Sequence, residues 1–116
     1  MAGLSSVPDV EIDPEGKFKY ILIKITGGDN ETKLIVRGTK QAEFHPDIFA
    51  KVEPIIKASG LFCEVQGGGK ILHEAGKSIK VFSKSTGYGA ADHSLTVALL
   101  KTAYPDYAEI IWTEED

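Results

Sequence analysis

Cysteine is almost absent: Cys63 stands alone in 116 residues, so no intrachain disulfide can form, and a domain of this length does not need one. That favours a reducing compartment, and a cytoplasmic location is the expectation. Metal-ligand spacing is missing as well. The three histidines make no HxxxH pair, there is no CxxC, and no carboxylate run has calcium-loop spacing, so no metal or other cofactor is expected. The N-terminus MAGLSSVPDVEID lacks the basic start and apolar stretch of an export signal. The longest apolar run is about a quarter of the roughly twenty residues that a membrane span requires, so membrane insertion is not expected either. Positive charge is in deficit, with 13 Lys+Arg against 17 Asp+Glu, a formal net charge of -4 and a pI near 5.3. This excludes a broad electrostatic grip on nucleic acid or on anionic membrane. An anion site must then be local, built from a few cations and backbone N–H groups.

What is present is an ordinary globular mixture, 42% hydrophobic and 26% charged, which reads as one domain over residues 1–116 and as a monomer. Residues 1–13 read as a partly ordered arm ending at the Asp13-Pro14-Glu15-Gly16 turn signal. Lys17–Ile25 reads as a strand with Ile21, Ile23 and Ile25 on one face and Phe18, Tyr20 and Leu22 on the other, as suits an interior strand covered on both sides. Lys33–Arg37 is a second strand. Pro46 and Asp47 suit a helix start, and Ile48, Phe49, Val52, Ile55 and Ile56 continue at helical spacing, with Pro54 predicting a kink or a shortened last turn. Leu61–Gln66 and Lys70–Glu74 read as two strands about a Gly67-Gly68-Gly69 hairpin turn, followed by a strand over Ser78–Ser83. A second helix over Ala90–Tyr104 would present Ala91, Leu95, Ala98 and Leu99 on one face. Ala108–Trp112 reads as a last strand and Glu114–Asp116 as a solvated tail. The order ββαβββαβ predicts an α+β fold, a single compact domain with a mixed β-sheet of about six strands covered by two helices.

Three places in this pattern could carry chemistry. His45 precedes Pro46 at the helix start, beside unpaired backbone N–H groups, a place open to a catalytic histidine although spacing alone favours an ordinary capping-position one. His73 and His93 read as packed or surface histidines. Ser85-Thr86-Gly87-Tyr88-Gly89 follows a strand and opens a helix, where N–H groups can cradle a phosphate, although the residues alone favour glycines that only let the chain turn into the helix. Lys19, Arg37 and Lys70 lie on or at the ends of strands. Lys19 shares a face with three isoleucines, so it snorkels from a strand end or is aimed into a cleft.

The stretch Ile35–Phe49, IVRGTKQAEFHPDIF, resembles the signature segment of the phosphohistidine phosphatase family, which includes the janus and ocnus proteins of flies. The likeness continues through Val7–Asp13, Gly16–Ile23, Gly67–Ile71, Ser85–Gly89, His93 and Tyr104–Tyr107, covering nearly the whole chain in order. It implies hydrolysis of the N–P bond of phosphohistidine in proteins without a metal, with His45 as general base or nucleophile. It implies further that Lys19 and the loop Ser85, Thr86 and Gly87 hold the phosphate, and that Arg37 and Lys70 support it. Histidine-phosphorylated proteins would be the substrates and phosphate the product. An alternative is a non-catalytic phospho-amino-acid binding or developmental interaction protein of the janus/ocnus type. Lys70 stands where the family often has arginine, keeping the charge but losing the bidentate fork. Thr86 and Gly87 also differ in side chain, Gln41 replaces an expected aromatic residue, and the loop after the first strand is shorter.

Overall fold

The strand with two apolar faces organises the molecule. In the computed structural model, which describes residues 3–116, a 3-10 turn at Leu4–Ser6 precedes β1 (Val10–Glu11), β2 (Gly16–Thr26), β3 (Thr32–Thr39), α1 (His45–Ala58), β4 (Phe62–Glu74), β5 (Ser78–Phe82), α2 (His93–Ala103) and β6 (Glu109–Trp112). The strands form one mixed sheet in the order β1-β3-β2-β4-β5-β6, with β2 antiparallel to both β3 and β4 and the two outermost pairs parallel. Ile21, Ile23 and Ile25 pack with Ile35, Ile48 and Ile56 under α1, and Phe18, Tyr20 and Leu22 pack with Ile71, Val81, Val97 and Leu100 under α2. Each helix thus covers one face of the sheet, and the α+β expectation holds.

Four local expectations are corrected. The glycine run is no hairpin turn: β4 continues through it, because its partner β2 offers a ladder along its own length, with Gly68 opposite Ile21 and Gly69 opposite Tyr20. A register shift between Leu22, opposite Gly67, and Ile23, opposite Val65, leaves Gln66 as a bulge. The segment read as a partly ordered arm is docked from Leu4 onward, whereas Met1 and Ala2 lie outside the described residues. Val7 is buried, Val10 pairs with Val36, and the Lys33 ammonium donates to Val7 O and, at 2.8 Å, to Asp9 Oδ1.

The buried stripe of α2 is His93, Thr96, Val97 and Leu100, and Leu95 is exposed. Polar contacts to Tyr20 rotate the helix away from the purely apolar choice. The acidic tail Glu114–Asp116 is exposed as expected, but its backbone is not free, since Ser83 N–H donates to Glu115 O at 2.7 Å and, just before the tail, Thr113 N–H donates to Val81 O at 2.9 Å. Pro54 sits inside α1, which nonetheless runs to Ala58.

Candidate functional site

Phe44 is extended, with φ -126° and ψ 157°, and turns the chain into α1 so that His45 faces the sheet. Asp47 accepts from Phe44 N–H at 2.8 Å and fixes that entry. Only 5% of His45 is exposed, and its ring rests on the backbone of Gly68. A Cβ added at Gly68 would lie 2.7 Å from His45 Cδ2, so the imidazole has its place because that position has no side chain. His45 Nε2–H donates to Gly69 O at 2.9 Å. A carbonyl can only accept, so this bond fixes the tautomer and leaves Nδ1 with the lone pair. Burial pushes the His45 pKa below the ordinary 6.5; the Gly69 hydrogen bond opposes the shift, and Lys19 and Lys70 add to it.

Lys19 and Lys70 are direct partners across β2 and β4, on the face that carries His45. Like charges placed opposite each other repel. Among the described residues neither lies within ion-pair distance of a carboxylate; the acids engage Lys33, Arg37, Lys57 and Lys77 instead. These two lysines line a cavity of about 580 Å³ with Phe44, His45, Pro46, Lys84, Ser85, Thr86 and Gly87. Its loop is made where β5 ends and the chain leaves the sheet at Ser83, a non-glycine residue at φ 66°, and returns through the bonds Gly68 N–H to Gly89 O and Ala91 N–H to Gly68 O, both 3.0 Å. Within the loop Ser85 N–H is committed to Gly89 O at 3.2 Å, and Tyr88 N–H to Ser85 Oγ at 3.1 Å. Among the described residues the N–H groups of Lys84, Thr86 and Gly87 have no protein acceptor. Three lysines and these free donors make a concave site for a tetrahedral oxyanion.

Behind the loop is a buried polar chain. Ser83 O must accept, so His93 Nε2–H donates to it at 2.7 Å, His93 Nδ1 accepts from Tyr20 O–H at 2.5 Å, and Thr96 Oγ1 lies 3.0 Å from the same oxygen. Burial drives the Tyr20 phenol well above its ordinary pKa, so it stays a donor. His93 is therefore a packed histidine, as expected, and it holds the residue from which the Ser85–Gly89 loop departs. His73 is packed too, between Asp13 O at 2.8 Å and Tyr107 Oη at 2.6 Å.

Six of the seven residues singled out in the sequence, His45, Lys19, Lys70, Ser85, Thr86 and Gly87, meet at this cavity. Arg37 does not. Its guanidinium donates to Val36 O at 2.9 Å and to Pro8 O at 2.8 Å and pairs with Glu11 at 3.4 Å, so it clasps the N-terminal segment to β3. Ser85 is buried and shapes the loop, and the free N–H groups belong to its neighbours. The loop also lies ahead of the helix rather than opening it, because α2 begins at His93 with Asp92 as its cap. Four participants went unread in the sequence: Lys84, which only its position beside Ser85 could have flagged; Gly68, hidden in the glycine run; Ser83; and Asp116, at the end of an acidic tail.

Comparison with known proteins matches residues 4–108 to the Janus/Ocnus family (Ocnus). The chain is 42% identical to the 14 kDa phosphohistidine phosphatase of Sus scrofa over 98% of this chain and 95% of that protein. It is 41% identical to the protein of the same name from Homo sapiens over 99% and 97%. It is 46% identical to the sex-regulated protein janus-A of Drosophila yakuba over 90% and 78%.

Proposed function

The chain belongs to the Janus/Ocnus family, and from that premise we propose that it is a protein phosphohistidine phosphatase, a hydrolase of the N–P bond, working on the cavity around His45. One observation carries this reading: Lys19, Lys70 and Lys84, none with a carboxylate within ion-pair distance among the described residues, line the same cavity as a buried imidazole of defined tautomer. Packing like charges together with no ion-paired acid is unfavourable unless an anion completes the site.

The chemistry follows. Lysine ammonium groups and the N–H groups of Thr86 and Gly87 hold the three phosphoryl oxygens and balance the charge that develops on them, which is most of what phosphoryl transfer asks of a protein. His45 Nδ1 supplies the lone pair. It acts either as nucleophile on phosphorus or as the base that takes a proton from water, and both roles need the neutral ring that burial favours. An acid-labile, base-stable adduct on His45 selects the first role. Turnover is expected to survive EDTA, since among the described residues no group of three or more His, Cys, Asp or Glu side chains could hold a metal ion and the reaction as described needs no Lewis acid. Histidine-phosphorylated proteins are the substrates under this reading, and the cytoplasm, where a single free thiol is stable, is the location. No helix of the described residues is long and apolar enough to cross a membrane.

The test is His45→Ala, assayed on phosphoramidate and on a histidine-phosphorylated protein. We expect kcat to collapse while the fold and phosphate affinity persist, because affinity comes from the lysines and the loop. A folded variant with near wild-type turnover refutes the assignment. Phosphate binding by the unaltered protein without any turnover would favour a non-catalytic binding module instead.

A further inference from the structure

The cationic cavity contains one group of the wrong sign for an anion site. Asp116 lines it together with His45 and the three lysines. Its side chain is tethered there: Ser83 Oγ–H donates to Asp116 Oδ1 at 3.4 Å, and Ser83 N–H holds Glu115 O, the carbonyl just before it, at 2.7 Å. Ser83 is itself buried, fixed at a left-handed φ of 66° and held through its carbonyl by His93. The exposed carboxylate thus sits beside the residue that launches the loop, its main chain held by the Ser83 N–H. For a phosphate ion alone such a carboxylate is a cost, since like charges in one cavity repel.

We propose that Asp116 is a specificity-determining residue that accepts an N–H from the cationic nitrogen portion of the substrate, so that the cavity selects protonated phosphoramidates over other phosphate compounds. This rests on the phosphatase reading above and names the other half of its substrate. Phosphohistidine whose ring is protonated carries a dianionic or monoanionic phosphoryl group on one nitrogen and an N–H⁺ on the other. The lysines and free N–H groups match the first charge, and Asp116 matches the second. The balance is complete: as the N–P bond breaks, its electron pair returns to the ring nitrogen and the phosphoryl group passes to water or to His45 Nδ1. Imidazole leaves neutral, with its remaining N–H still held by the carboxylate. A phosphate ester has no such N–H⁺ and gains nothing from Asp116.

The experiment compares the unaltered protein with Asp116→Asn and Asp116→Glu, measuring kcat/KM for phosphoramidate, whose nitrogen is cationic, and the inhibition constant of sulfate, a tetrahedral dianion with no proton to give. If Asp116 reads the cationic nitrogen, Asp116→Asn lowers kcat/KM by roughly tenfold, the scale of one charge-assisted contact. Sulfate should meanwhile bind more tightly, and Asp116→Glu should restore much of the loss. Phosphoramidate turnover that rises in step with sulfate affinity would mean that Asp116 only repels anions, and unchanged values for both would mean that it is a bystander; either overturns the proposal. Failure of the unaltered protein to turn over phosphoramidate overturns the phosphatase reading first, and this inference with it.

Discussion

Substituting Gly68 by alanine tests whether the glycine run exists to seat the imidazole. The added Cβ would lie 2.7 Å from His45 Cδ2 and 2.8 Å from Tyr20 O, whereas non-bonded carbon contacts settle at about 3.5–4.0 Å. Something must move by close to 1 Å. Tyr20 O belongs to the central strand and is held by two neighbours, so the ring of His45 gives way, tilting from Gly69 O and carrying Nδ1 with it. Overpacking of this kind costs about 1–3 kcal/mol, a fall in Tm of roughly 4–12 °C for a chain of this size. Displacing a reacting group by that distance costs about 100-fold in kcat. The assay is phosphoramidate turnover beside a thermal melt, with Gly76→Ala as control. Gly76 has φ +74° but open space around an added Cβ, so that variant loses about 1 kcal/mol from backbone strain and keeps its kcat. A Gly68→Ala protein with wild-type kcat, however destabilised, would refute the claim that this glycine positions the histidine.

Four further outcomes are expected. Because burial depresses the His45 pKa, the unfolded chain binds the proton more readily than the folded one; stability and turnover are therefore full above the unfolded value of 6.5 and fall together as the pH descends through the lower folded value, with a slope of at most about 1.4 kcal/mol per pH unit from this one group. Denaturant titrations and kinetics taken from above pH 6.5 downward should show that direction, and a maximum on the acid side would contradict it. Arg37→Ala should destabilise by about 1–3 kcal/mol, the range for losing charged hydrogen bonds, with kcat/KM nearly intact when it is measured well below the melting temperature; selective loss of activity would return Arg37 to the site. Lys19→Ala should lower kcat/KM by about one to a few kcal/mol equivalent, whereas Lys70→Arg, read out in the same assay, should be neutral or mildly beneficial because it keeps the charge and adds a fork.

The sequence made the two-faced strand β2 legible because alternation is local, and the start of α1 legible because Pro46 and Asp47 are local signals. The site's composition was legible only through family resemblance; spacing alone left His45 and the Ser85–Gly89 loop open to bland readings. What could not be read was set by distant chain. Three successive glycines look like a turn until it is known that His45 descends on Gly68 and that Ala91 backbone would meet a Cβ at Gly67 within 2.7 Å. The face that α2 buries depends on Tyr20, far away in sequence, which draws His93 and Thr96 inward. Arg37 has the charge expected of a phosphate ligand, but the carbonyl of Pro8 and the carboxylate of Glu11 reach it first. The acidic tail gives no local hint that Ser83 anchors it.

The brevity of the outermost strands bears on how the molecule behaves in a crowd. β1 offers two residues and β6 four, each already paired along its inner side. Past β1 the Lys33 side chain crosses the margin to Val7 and Asp9, and past β6 the chain bends back to bond with Ser83. Fibrous aggregates grow when a strand from one molecule adds to an exposed, flat, unpaired margin of another. Along β1 and β6 themselves an incoming strand would find only a few free backbone groups. In a sheet rich in isoleucine and valine, the template for polymerisation is thus short along both outermost strands.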